Sequence, residues 1–167
     1  FLLLPAPLLL LPNPIGATCY ANAIANFVAA DVVSNLHGFL TIVTNHAGAD
    51  LYRFENGCVP NSPEFFLRQI ISSANFRTGG DANDFFHGFL NYQIEHHCWP
   101  TLSMLSYQRG APELRAICER HGVPYVQENV FERLRKTLDI IVGRTSMRRF
   151  PVRAFDTRQL AKQVSTV

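Results

Sequence analysis

Gln93-Ile94-Glu95-His96-His97-Cys98-Trp99-Pro100 is the stretch on which the reading of this sequence turns. On a helix, residues three and four apart share a face. Gln93, His96 and His97 therefore project from one side, with the glutamine one turn before the pair. Glu95 points roughly the opposite way and is a poor ligand candidate. Neutral imidazole suits iron, zinc and copper, and a metal that needs several imidazoles gains from two locked on one rigid turn. Spacing alone leaves two readings, a metal-binding pair or a surface pair.

The surroundings place the motif on helix. A helix is predicted over roughly Asn83 to His97, with Pro100 ending it and Gly79-Gly80 breaking the chain before it. Ser62-Pro63-Glu64 starts an earlier helix that runs to about Phe76: a capping serine, a proline at the first helical position, and an acid near the positive helix end. Pro112 to Arg120 reads as a third helix, with Gly122 just past it and His121 as a helix-end residue. Asn129 with Glu132 resembles a capping box. Val130, Leu134, Leu138 and Ile141 then line one face until Gly143. The basic tail, 144–167, carries Arg148, Arg149, Arg153 and Arg158. It is either a solvated face or a contact with anionic headgroups, worth ~1 kcal/mol per basic residue near the surface.

The other end of the chain is charge-poor. All 15 Lys and Arg residues lie after position 50, and residues 1–50 carry only Asp31 and Asp50. Such asymmetry fits a membrane segment followed by a cytosolic one, because positive charge is retained on the cytoplasmic side. Residues 1–46 are therefore expected to be a transmembrane region: the end of one helix, a loop at 12–14, and a main helix over about 15–46. Residues 47–143 form the cytosolic helical part. Phe1 to Leu11 is too short to span alone and lacks the basic leading region of a signal peptide. The start at Phe1 reads as that of a fragment. Asn22, Asn26, Asp31, Asn35 and His37 would have to face a partner helix or polar cavity. The fold class expected is all-α, a membrane helix or helical hairpin followed by a cytosolic helical region. Cys19, Cys58, Cys98 and Cys118 have no paired spacing and read as reduced thiols. A net charge of +2 gives no ground for nucleic acid as a partner.

Asn91 through Pro100 resembles the third histidine box of front-end fatty acid desaturases, Gln-x-x-His-His followed by a bulky pair and proline. Pro112-Glu113-Leu114 through Cys118-Glu119-Arg120-His121-Gly122-Val123-Pro124-Tyr125 resembles the short helix and turn after that box. Thr44-Asn45-His46 resembles the Asn-His found where the last membrane helix enters the cytosol. The resemblance covers most of residues 30–142. Cys98-Trp99 stands where Leu-Phe is common, which alters packing rather than chemistry.

The resemblance implies His46, His96 and His97 as iron ligands and catalytic residues, with Gln93 and Asn45 beside the metals, where an amide can orient a histidine. It also implies two iron ions, O2 as co-substrate, and insertion of a double bond into the acyl chain of a lipid or acyl-CoA. Electrons would come from a cytochrome b-type haem domain or a ferredoxin. The membrane would be endoplasmic reticulum, plastid or bacterial, with the C-terminal region cytosolic. Three histidines cannot hold two irons, and no further histidine box precedes position 37, so the chain alone is expected to be inactive. His37 and His87 each lie nine residues before a candidate ligand, half a turn away in projection, and read as packing residues. The rivals are a fatty acyl hydroxylase on the same scaffold and a non-catalytic membrane lipid-binding fragment. A zinc hydrolase lacks its His-Glu-x-x-His helix.

Overall fold

Pro5 and Pro7 each remove a backbone donor, and the leucines around them form a single 3-10 turn, Ala6–Leu10, rather than the end of an α-helix. The computed structural model describes residues 1–150. The chain divides into two compact units, Phe1–Leu40 and the residues from Thr41 onward. In the first, the turn folds back on α1 (Ile15–Thr41). Tyr20 donates its hydroxyl to the Leu2 carbonyl at 3.2 Å, and the Phe1 and Phe27 rings lie 6.0 Å apart. Gly16 permits this closeness, because a Cβ there would meet the Leu11 and Leu8 carbonyl oxygens at 2.7 and 2.8 Å.

The 27 residues of α1 reach about 40 Å at 1.5 Å per residue. With its apolar composition, α1 is long enough to cross a ~30 Å hydrocarbon core. Val28, Val32 and Leu36, at helical spacing, are exposed, as are Asn22, Asn26, Asp31 and Asn35. The helix stops at Thr41, short of the predicted residue 46, and a 3-10 turn over Val43–Asn45 follows.

The second unit is mostly helical, as expected, with two minimal parallel strand pairs added. β1 (Tyr52–Arg53) pairs with β4 (Arg148–Arg149), and β2 (Asn75–Phe76) with β3 (Gln127–Glu128). Its helices are α2 (Pro63–Ile71), α3 (Asp81–Phe86), α4 (Gln93–Cys98), α5 (Met104–Arg120) and α6 (Val130–Ile141). The Ser62 cap holds, accepting from Phe65 N at 3.1 Å, and so does the Asn129 cap, accepting from Glu132 N at 3.0 Å. Ile70 and Ile71 of α2, Ile94 and Cys98 of α4, and Leu114 and Cys118 of α5 form the core.

Four expectations need correction. The helix over Asn83 to His97 is broken in two, because Gly88 and Phe89 both take positive φ, 58° and 59°. A 3-10 turn, Leu90–Tyr92, then leads into α4. The helix placed at Pro112 begins eight residues earlier, behind a Ser103 cap, and carries Pro112 in its interior. Proline removes a helix bond there, at about 3 kcal/mol, and the burial of Tyr107, Ala111 and Leu114 on the same helix offsets it. The helix to Phe76 ends at Ile71, and Asn75–Phe76 is strand. On α6 the buried residues are Arg133 and Thr137, while Leu138 and Ile141 are exposed. Of the basic tail, Arg148 and Arg149 lie in β4, and Arg153 and Arg158 fall outside the described residues.

Candidate metal centre

α4 has six residues and no side-chain cap at Tyr92, too short to persist by itself. Its position is imposed from outside. Ile94 and Cys98 enter the core, and Ile94 N donates to Asn75 Oδ1 at 2.8 Å. The Glu95 carboxylate, buried on the back of the helix, accepts from Tyr125 OH at 2.6 Å and Asn75 Nδ2 at 2.8 Å. Burial, the Glu95 charge and the hydrogen bond to it push the Tyr125 phenol upward, so Tyr125 stays a donor. Just before α4, fully buried Asp84 accepts from Asn91 Nδ2 at 2.5 Å, Tyr92 OH at 2.9 Å and Gln108 Nε2 at 3.0 Å.

The front of α4 faces His46. The His46 and His97 Nε2 atoms stand 3.1 Å apart. Gln93 Nε2 lies 2.9 Å from His97 Nε2 and 3.4 Å from His46 Nε2. His46 Nδ1 is 2.7 Å from the Ile42 carbonyl. A carbonyl only accepts, so Nδ1 carries the proton and a neutral His46 turns the lone pair of Nε2 toward His97. Burial, with the His46 and His96 rings beside it, pushes His97 down to about 4, so that ring is neutral at pH 7.

His96 is adjacent rather than convergent. Its ring centroid is 6.1 Å from that of His97, and its Nδ1 is 3.4 Å from Tyr107 OH. Tyr107 donates its proton to Trp99 O at 2.8 Å, so its oxygen faces His96 as an acceptor. This favours Nδ1–H on His96 and leaves Nε2 available. Asn45 is buried and ties the segment before His46 to the entry of α4, donating to Thr41 O and Leu90 O, each at 3.1 Å. His87 packs at a tilt against Phe76 and bonds Asn83 O, as a packing residue would. The four cysteines are free, and Cys98 and Cys118 are buried in the core. Among the described residues, no group of three or more His, Cys, Asp or Glu side chains is placed to hold a metal.

The donor set nevertheless fits a cation. Gln93 Oε1 and His97 Nδ1 are buried without a hydrogen-bond partner, and the His46 and His97 Nε2 atoms and the Gln93 amide nitrogen crowd one point. Metal–imidazole bonds of about 2.0–2.1 Å put neighbouring ligand nitrogens roughly 2.8–3.0 Å apart in octahedral geometry and roughly 3.3–3.4 Å apart in tetrahedral geometry. The 3.1 Å separation of His46 and His97 lies between these two values. Beside the helix lies a largely apolar cleft of about 350 Å³, lined by Trp99, Leu102, Tyr107, Leu114 and Ile117 among others.

Comparison with known proteins identifies the setting. A family model described as fatty acid desaturase matches residues 1–129, the stretch that contains His46, Gln93, His96 and His97. The chain belongs to the fatty acid desaturase family. A desaturase of Mycobacterium tuberculosis, named NADPH-dependent stearoyl-CoA 9-desaturase, is 31% identical over 124 residues, 73% of this chain and 29% of that protein. The acyl-lipid (9-3)-desaturase of Physcomitrium patens is 30% identical over 115 residues, 66% of this chain and 20% of its own length. The Delta(8)-fatty-acid desaturase of Euglena gracilis is 41% identical over 61 residues, 36% of this chain and 14% of its own. The chain thus spans less than a third of these desaturases. No solved structure matches it.

Sequence reasoning missed Asp84, Asn75, Tyr107 and Arg133, buried polar groups that hydrogen-bond the segments around the candidate site. Asp84 had one available signal, a carboxylate just before a segment rich in amide and phenol donors.

Proposed function

We propose that this chain supplies part of the metal-binding and acyl-handling region of a membrane fatty acid desaturase of front-end type, in which His46, His96 and His97 are ligands of a di-iron centre. The observation that carries this reading is the 3.1 Å approach of His46 Nε2 to His97 Nε2, across about fifty residues of sequence. A bound di-iron pair would supply the O2 chemistry by which, with two electrons and two protons, two hydrogens leave adjacent carbons of an acyl chain and O2 ends as two water molecules. The chain's own residues bind and orient. Ile42 O fixes the His46 tautomer and the Tyr107 oxygen that of His96; Gln93 lies beside both the His46 and His97 Nε2 atoms and steers their rings. The largely apolar cleft beside Trp99 and Tyr107, which Glu95 and Glu113 also line, suits the methylenes of an acyl chain.

Three imidazoles do not complete two irons, so the centre needs further ligands, and the 167 residues alone are expected to be inactive. The substrate is an acyl-lipid or acyl-CoA, and the electron donor a haem domain or ferredoxin. The apolar α1 segment would lie in the bilayer, with the basic region after it in the cytosol.

The test expresses the full-length protein in cells and analyses their lipids by gas chromatography. A new unsaturated fatty acid is expected, and its loss in His46→Ala, His96→Ala or His97→Ala with membrane insertion unchanged. Full activity in any of these variants refutes the assignment of that residue. A hydroxylated product would replace desaturase by hydroxylase.

A further inference from the structure

His46 sits on an irregular turn, not on a helix, yet its ring is held against α4. What fixes that turn is a buried cation from far along the chain. Arg133 of α6 is fully buried. Its Nε donates to Thr44 O at 3.2 Å and its Nη2 to Ala47 O at 2.9 Å. Its Nη1 bonds both Asp50 carboxylate oxygens, at 3.0 and 2.9 Å. Thr137, one turn along α6, gives Ala47 O a second donor at 3.2 Å. Ala74 N donates to Asn45 O at 2.9 Å.

The carbonyls of residues 44, 45 and 47, on both sides of His46, are thus all held. A guanidinium does this in one piece, because its five donors lie in a fixed planar fork. A buried charge is tolerated only when paired and hydrogen-bonded, which Asp50 and the two carbonyls provide here. Gly48 completes the fit: a Cβ there would come within 2.6 Å of Arg133 Nη2. Arg133 lies beyond residues 1–129, the stretch that matches the family.

We propose that Arg133 is a positioning residue for His46, bracing the turn that presents the His46 imidazole to His97. The proposal rests on the reading of His46 as a metal ligand. Groups that orient a ligand typically change metal affinity 10- to 100-fold when removed. Arg133→Gln should therefore weaken metal binding through His46 alone.

The test uses the 167-residue chain in lipid nanodiscs, titrated with Co(II) and followed by visible absorbance, well below each variant's unfolding midpoint. Arg133→Gln is expected to bind at least tenfold more weakly than wild type with an unchanged far-ultraviolet circular dichroism spectrum. The Arg133→Gln/His46→Ala double variant should match His46→Ala alone, since a residue acting through His46 has nothing left to position. Equal affinity of Arg133→Gln and wild type overturns the proposal, as does the same loss in the His46→Ala background. If Arg133→Gln does not fold, Thr137→Val removes one donor from Ala47 and should weaken Co(II) in the same direction; no weakening overturns the brace.

A metal-free readout separates this proposal from the metal reading. Nitrogen-15 spectra of labelled histidines should show His46 as a single Nδ1–H tautomer in wild type and a mixture in Arg133→Gln. If wild type binds no Co(II) through His46 and His97, the metal reading falls, and the tautomer comparison alone decides the brace. An unchanged tautomer overturns it.

Discussion

Asp84→Asn keeps the shape of a buried side chain and removes its charge at the entry to the histidine helix. The carboxylate takes hydrogen bonds from Asn91, Tyr92 and Gln108, two amides and a phenol. A hydrogen bond to a charged group contributes about 1.5–3 kcal/mol, against about 0.5–1.5 kcal/mol for a neutral one. Making three bonds neutral therefore forfeits roughly 3 kcal/mol. The new amide N–H₂ must also face one of the existing donors, which costs about 1–3 kcal/mol more. Burying an amide instead of a carboxylate offsets part of this, leaving a net loss of roughly 2–4 kcal/mol. At about 2–4 °C per kcal/mol for a chain of this size, the midpoint should fall by roughly 4–16 °C. Thermal unfolding in nanodiscs, followed by near-ultraviolet circular dichroism at pH 7, measures it. The sign of the pH dependence is fixed as well. Burial pushes the Asp84 carboxyl up, but its donors outweigh burial and hold it below the usual 3.8. Its contribution is complete above that value and is lost as pH falls through the lower, folded value. Wild type and Asp84→Asn should converge in strong acid. A midpoint within about 2 °C of wild type at pH 7 refutes the role given to this carboxylate.

Two further outcomes follow from the Asp50 end of the same unit. Gly48→Ala would place a Cβ 2.4 Å from Asp50 Oδ1 and 2.6 Å from Arg133 Nη2; a loss of about 1–3 kcal/mol is expected, and an unchanged midpoint would mean that the ion pair shifts freely. Burial also pushes Asp50 up while hydrogen bonds from Lys136 and Arg133 pull it below 3.8, so acidification from pH 5 to 2 should destabilise wild type more than Asp50→Asn, and parallel melts in that range would deny the linkage.

The legible parts of the fold were those written in local chemistry. Ser62-Pro63 and Asn129 announce helix starts because their side chains satisfy backbone donors a few residues away. His46, Gln93 and His97 were legible together only through their likeness to a family, since nothing in spacing tells a turn at 46 that it will meet a helix at 93. The break at Gly88-Phe89 was missed because only the glycine signals it and Phe89 rarely adopts that backbone. Pro112 misled for a related reason: local propensity places proline at a helix start, and the packing of Tyr107 and Ala111 overrides it. The α6 face misled most. Its aliphatic stripe obeys the helical period, but the surface it docks on is made of carbonyls and a carboxylate, so Arg133 and Thr137 go inside instead.

That inversion bears on how the candidate metal-binding face keeps its shape. A six-residue helix cannot hold two imidazoles still by its own hydrogen bonds, because the first turn costs more than it returns. Ile94 and Cys98 give it hydrophobic purchase on α2 and α5, but apolar contact is non-directional and does not set rotation about the helix axis. The directional constraints come from the back and the ends: Glu95 between Tyr125 and Asn75, Ile94 N on Asn75, and Tyr92 on Asp84. Glu95 and the His96–His97 pair sit on opposite faces of one turn, so a rotation that freed Glu95 would carry both rings away from His46. The carboxylate that spacing rejects as a ligand thus determines where the two imidazoles point, and the turn bearing His46 is held on its own side by the Arg133 guanidinium. The two halves of the candidate centre meet at 3.1 Å because each is locked from behind by a buried charge.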